Sequence, residues 1–193
     1  MRGLQFQLEE RIGALSSVPD ELERLARLVR IKNDADAAIG EHIGRPSVPG
    51  NIGEYAAAEV FAIQLMTSRS HPGHDGVLTA GPVAGKTVNI KTYGRHESVL
   101  DISRHPCDYC LVLAGPAGRA RVLPWVIDPV FLFEREHLAA TPMARGVKIC
   151  AATSVRQADR ETARVFPPQQ APPLQLAESQ LASRALFSPM QAT

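Results

Sequence analysis

Between Ile52 and Tyr93 the apolar rhythm of the chain changes period, and that change restricts the available folds more than any other feature. In "IGEYAAAEVFAIQLM", Ile52, Tyr55, Ala56, Val60 and Ile63 fall on one helical stripe, with Glu54, Ala57, Ala58 and Phe61 on the next. The alanines would let such a helix lie close on a sheet. After "TSRSHPGH", a loop by composition, "DGVLTA" and "KTVNIKTY" read as two strands joined by the turn "GPVAG". Val88, Ile90 and Thr92 then point to one side of the second strand, and Thr87, Asn89, Lys91 and Tyr93 to the other. A helix followed by paired strands points to an α/β fold.

Upstream, Leu4, Leu8, Ile12 and Leu15 sit at helical spacing in a short appendage. A stronger helix starts near Pro19, where the proline and the acids Asp20 and Glu21 suit a helix N-terminus. Leu22, Leu25, Val29, Ala35, Ile39 and Ile43 give it an apolar face, interrupted at Lys32, until Gly44 and Pro46 end it. Asn51 closes the loop "RPSVPGN" as the expected N-cap of the next helix, which would put Glu54 at its third position. Downstream, "YCLVLAG" reads as a buried strand and "GRARVLPWVI" as its hairpin partner or an edge strand. "FLFEREHL" fits helix and strand alike, and "VKICAAT" is a compact strand. Ser154 and Gln157 form a capping-box pattern for a last helix ending near "RVFPP". These readings divide the chain into a helical extension packed on the core (1–48), an α/β core (49–166) and a Pro/Gln/Ala-rich flexible tail (167–193).

Composition narrows the function classes only a little. A chain of 193 residues, 45% hydrophobic and 21% charged, can bury one full core. A net charge of +1 gives no global basic field, so it neither requires nor excludes nucleic acid. No apolar run reaches the roughly 18–20 residues that span a bilayer, and the first residues lack a signal-peptide core, so no membrane partner and a cytoplasmic location are expected. Three cysteines are an odd number and predict free thiols.

Several motifs compete for chemistry. "AGPVAGKT" approaches a phosphate-binding loop, but the β-branched "TVNIKTY" after it denies phosphate a helix N-terminus, so a hairpin turn is expected. "CDYC" has zinc-site spacing without a second ligand pair; two cysteines within one strand would project to opposite faces, as small buried hydrophobes. His71 and His74, beside Asp75, read as solvated loop residues rather than ligands. Capping, a turn and an exposed strand face would each account for Glu54, Asp75 and Lys91 taken singly.

Their order is more specific. A helix bearing Glu54, a strand opening at Asp75, a strand carrying Asn89 and Lys91, then a strand, an ambiguous segment and a last strand resembles the PD-(D/E)XK, or restriction-endonuclease-like, nuclease superfamily. The likeness covers about residues 50–153, and "GNIGEYAAAEVF", "GHDG" and "KTVNIK" are similar to its small bacterial domains. It implies an αβββαβ core with a mixed central sheet, preceded by the N-terminal helices. It further implies Mg²⁺, with Mn²⁺ as a substitute, held by Asp75, the Asn89 side-chain oxygen, the Ile90 carbonyl and Glu54, while Lys91 orients or deprotonates the attacking water. Hard oxygen ligands are what Mg²⁺ requires. The implied product is a cleaved DNA phosphodiester, in a defence or repair setting. Enzymes of this class often dimerise to cut two strands, which would make the Pro19 helix or the tail a pairing surface.

This chain departs from the family where Asn89 replaces the usual acid, because a neutral amide binds a dication more weakly. Glu97 and Asp101 are the nearest further carboxylates in sequence. Lys86, Arg95, His96 and Arg104 form a local basic segment suited to phosphate contact. The alternative is a catalytically weakened or inactive nuclease-fold domain that serves in nucleic-acid binding or protein interaction.

Overall fold

Two units make up the chain, Met1–Ser47 and Val48–Thr193. The computed structural model describes residues 20–68, 72–94, 99–103, 105–115, 126–144, 152–168, 170 and 172–188. In the first unit, helix α1 spans Asp20–Ile43, with Asp20, Glu21 and Glu23 answering the positive end of its dipole. Gly44, at φ +65°, turns the chain out of it. Lys32 pairs with Asp36 one turn on, and Ser47 Oγ donates to the same carboxylate at 3.1 Å. None of its residues is buried: Leu22, Leu25 and Val29 of the expected apolar face are exposed, and so are Leu28 and Ile31 beside it. Lys32 and Asp36 break that stripe midway.

The second unit opens with α2, Pro49–Phe61. Its N-cap is Val48, in extended conformation and without a side-chain cap bond, because Pro49 occupies the first turn, where its missing N–H goes unneeded. Asn51 is therefore inside the helix, not its cap. Glu54 lies a turn further in than expected, and the first turn holds no acid. Capping therefore does not account for Glu54. Ala62, at φ 53°, ends α2 early and sends residues read as helical into strand β1, Ile63–Leu65. β1 pairs antiparallel with β2, Gly76–Leu78, at a position where only glycine fits: a Cβ on Gly76 would stand 2.5 Å from Ile63 Cγ2.

β2 pairs antiparallel with β3, Thr87–Tyr93, across the turn expected from "GPVAG". β3 lies parallel to β5, Tyr109–Ala114, with Asn89 opposite Cys110 and Lys91 opposite Val112. β5 then pairs antiparallel with β6, Val130–Glu134, and β6 with β8, Arg164–Phe166. The protein is thus α/β, with a six-stranded mixed sheet in the order β1-β2-β3-β5-β6-β8. β4, Val99–Asp101, and β7, Ala152–Ser154, form a separate antiparallel pair, so "VKICAAT" contributes its end to this small sheet rather than to the main one.

The segment that fitted both templates uses both: β6 is followed directly by α3, Arg135–Ala144. α4, Gln157–Ala163, starts at Arg156 rather than Ser154, and the Arg156 guanidinium takes both oxygens of Asp159 at 2.9 Å. "RVF", expected to close that helix, is β8 instead; its β-branched and aromatic residues suit a sheet edge. The appendage at 4–15 and the body of "GRARVLPW" lie outside the described residues.

Strand alternation sorts the core into two layers. Val88, Ile90, Leu111, Leu113 and Leu132 pack under Ala56, Ala57, Val60 and Phe61 of α2. Cys110, Val112, Phe131 and Phe133 face the other way, with Leu138 of α3 and Ala163 of α4. Each fully buried Leu, Val or Phe is worth about 1.5–3 kcal/mol. α2 approaches β3 so closely that a Cβ on Gly53 would lie 1.8 Å from Thr92 Oγ1.

The expected flexible tail belongs to the second unit's structure over residues 172–188. Leu174 is buried, and Leu176 and Phe187 pack on the α2 layer. Helix α5, Glu178–Ala185, ties down distant backbone: Gln180 Nε2 donates to the Val60 carbonyl at 2.9 Å and Arg184 Nη1 to that of Ile127 at 2.8 Å. The Arg184 guanidinium also stacks 3.5 Å above the Phe166 ring. A few anchors in a proline-rich context suffice to order it. Among the described residues no helix is long and apolar enough to cross a membrane.

Candidate functional site

The site is framed by a carboxylate that the sequence reading overlooked. Gly81 and Gly85 adopt φ +75° and +81°, so residues 79–86 form a turn into β3 rather than a phosphate loop. At its end, Asp108 accepts hydrogen bonds from the Thr87 N–H (2.8 Å), the Thr87 hydroxyl (2.7 Å) and the Lys86 ammonium (3.0 Å). The Asp108 N–H donates back to Thr87 Oγ1 at 2.9 Å. Donors from the Thr87 backbone, then its hydroxyl, then Lys86 hold the Asp108 carboxyl down to about 2. This clasp fixes the start of β3 against the start of β5. It also occupies Lys86, one of the expected phosphate contacts.

Asp75 immediately precedes β2. Its N–H donates to the Val88 carbonyl at 2.9 Å, and its own carbonyl accepts the Met66 N–H at 2.8 Å. Beyond the Gly76–Val88 pair the ladder ends, and the Asp75 side chain takes over: Oδ2 accepts the Ile90 N–H at 2.6 Å and Asn89 Nδ2 at 2.9 Å. Asn89 is only 7% exposed, and its Oδ1 is buried without a hydrogen-bond partner. A buried carbonyl oxygen left unmatched carries a desolvation cost of about 1–3 kcal/mol.

Asp75, Asn89 and the Ile90 backbone therefore meet. Lys91 follows on the same face of β3 as Asn89, partly exposed. Glu54 rides on α2, the helix that covers the opposite face, through Ile90 and Thr92. Asp101 is exposed on β4, where its N–H donates to the Tyr93 hydroxyl. Arg95, His96, Arg104, Glu97 and His71 lie outside the described residues. No group of three or more His, Cys, Asp or Glu side chains suited to a metal ion occurs among the described residues.

Cys107 and Cys110 do not project to opposite faces. Only Cys110 is within β5; Cys107 precedes the bend at Asp108, and the two pack in one apolar cluster. The neighbouring Cys110 thiol, with help from Arg135 and the Asn89 backbone, lowers the Cys107 thiol against the opposing effects of burial and Asp75. The Cys107 thiol and burial push Cys110 up. Arg135 is anchored nearby: its N–H donates to the Asp108 carbonyl and its Nη2 to the Ser103 carbonyl, each at 2.9 Å. Arg135 Nε is buried without a partner. The "CDYC" spacing was a usable signal for this cluster; the bend that makes it converge was not. Compared with known protein families and with curated proteins, the chain matches none.

Proposed function

We propose that this chain is a nuclease-like domain that hydrolyses DNA phosphodiesters with Mg²⁺, on a restriction-endonuclease-like core. The observation that carries this reading is the meeting of Asp75 and Asn89 at the end of the β2–β3 ladder, with Lys91 next on the same face. The succession of α2, β2, β3 and β5 in the expected order supports it. The donor set fits the ion in kind: one carboxylate, the Ile90 carbonyl and the orphaned Asn89 Oδ1 are hard oxygens, and a half-turn of the Asn89 amide would set Oδ1 toward Asp75. Glu54, on the helix that covers the opposite face, is outside this donor set. Bound there, Mg²⁺ would supply Lewis-acid stabilisation of the charge that builds on phosphate.

The chain's own residues do the rest. Asp75 is held rigid by two backbone bonds, which keeps its carboxylate in place. Lys91 presents a donor that orients the attacking water and offsets charge on a phosphate oxygen. The test is cleavage of plasmid and branched DNA by the full chain. Activity should vanish in EDTA and fall at least about 10²-fold in Asp75→Ala and Lys91→Ala proteins of wild-type stability. Cleavage by those variants at the wild-type rate would overturn the proposal.

A second reading rests on one bond. Asn89 Nδ2 donates to Asp75, which partly neutralises that carboxylate's need for a cation. A domain of this kind would bind nucleic acid or a protein without cutting. It would retain DNA equally in EDTA and in Mg²⁺, with Asp75→Ala having no effect.

A further inference from the structure

We propose that Cys107 and Cys110 form a redox-active dithiol that small-molecule disulfides oxidise to an intramolecular disulfide, Cys107 attacking and Cys110 resolving. The roles follow from placement. Cys107 is half-buried at the mouth of β5, where a small reagent reaches it, whereas Cys110 is 3% exposed within the strand. Both belong to one apolar cluster, Cys110 inside it and Cys107 packed against it. Cys107 reaches that cluster from just before the bend at Asp108, and the Thr87 and Lys86 bonds keep that bend fixed.

In the first step the Cys107 thiolate attacks one sulfur of the small disulfide; that S–S bond breaks, and one small thiolate leaves with the electron pair. A mixed disulfide remains on Cys107. Cys110 then loses its proton and attacks Cys107 Sγ, and the second small thiolate departs. The two protein thiols give up two electrons and two protons, and the small disulfide becomes two thiols. None of this depends on the chain being a nuclease.

Both cysteines fall on one tryptic peptide, residues 105–119, apart from Cys150, so mass spectrometry reads the bond directly. The full-length protein is treated with oxidised glutathione, blocked with iodoacetamide and digested. The expected result is a 105–119 peptide two hydrogens lighter and free of alkylation, restored by dithiothreitol. In Cys110→Ser protein, the peptide should instead carry one glutathionyl group on Cys107. In Cys107→Ser protein, Cys110 should react at least about tenfold more slowly than Cys107 does in the other variant. A wild-type peptide that stays fully alkylated, or is found cross-linked to Cys150, overturns the proposal. Equal reactivity of Cys110 in folded Cys107→Ser protein, with native circular dichroism, overturns the assignment of attacker and resolver.

Discussion

Replacing Asp108 with alanine tests whether the clasp between β3 and β5 holds the site together. The substitution removes three acceptor contacts at once and leaves the Thr87 N–H without its partner. Lowering a carboxyl from its ordinary 3.8 to about 2 corresponds to about 2.4 kcal/mol of preferential interaction with the charged form. The side chain is 36% exposed, so solvent screening reduces this to about 1–1.5 kcal/mol at neutral pH. Because the folded value lies below the unfolded one, this stability is fully present above about pH 4 and is lost as pH falls towards 2. Urea unfolding of both proteins from pH 7 down to pH 2 measures it. The gap between wild type and Asp108→Ala should be about 1–1.5 kcal/mol at pH 7 and should narrow below pH 4. A gap under about 0.3 kcal/mol at pH 7, or one independent of pH, would refute the clasp as an ionic device.

Three further substitutions probe other joints. Gly53→Ala puts a Cβ into Thr92 and should cost about 1–3 kcal/mol by thermal unfolding, with much of the loss recovered in the Gly53→Ala/Thr92→Ala double variant. No recovery would mean that the contact is not the cause. Arg184→Met strips the Ile127 carbonyl of its donor and the Phe166 ring of its cation, for an expected loss of about 2–3 kcal/mol in urea; a neutral result would mean that α5 is not an anchor. Asn89→Asp sets a second carboxylate beside Asp75, so the melting temperature should fall in EDTA and recover in millimolar Mg²⁺. Indifference to Mg²⁺ would count against Asp75 and position 89 as a metal site.

What could be read from the sequence was periodicity. The helix carrying Glu54, the strands at Asp75 and Asn89, the buried strand from Tyr109 and the turn between β2 and β3 all follow from spacing and β-branching, which are local properties. β1 was hidden because Ile63 and Leu65 continue the helical rhythm, and only the left-handed Ala62 ends it. α5 was hidden because Arg184 and Gln180 look like solvated polar residues until Ile127 and Val60 supply their partners. The site shows the same division. Alternation placed Asn89 and Lys91 on one face, but the Asp75–Asn89 bond and the Asp108 clasp join residues 14 and 21 positions apart. Contacts over such separations depend on the strand pairing itself, which no local pattern encodes.

The Gln180 bond to Val60 spans 120 positions, and it sets a schedule as well as a structure. A chain emerging from the ribosome releases α2 and the first three strands while the residues that cover Val60, Phe166 and Ile127 are still unmade. Long separations of this kind slow folding, since loop-closure entropy is lost before the contacts form. During that interval the part of the α2 layer that Leu174, Leu176 and Phe187 cover is an open apolar surface. Helix α5 is thus also a timer: that side of the core is covered only after the tail has been made.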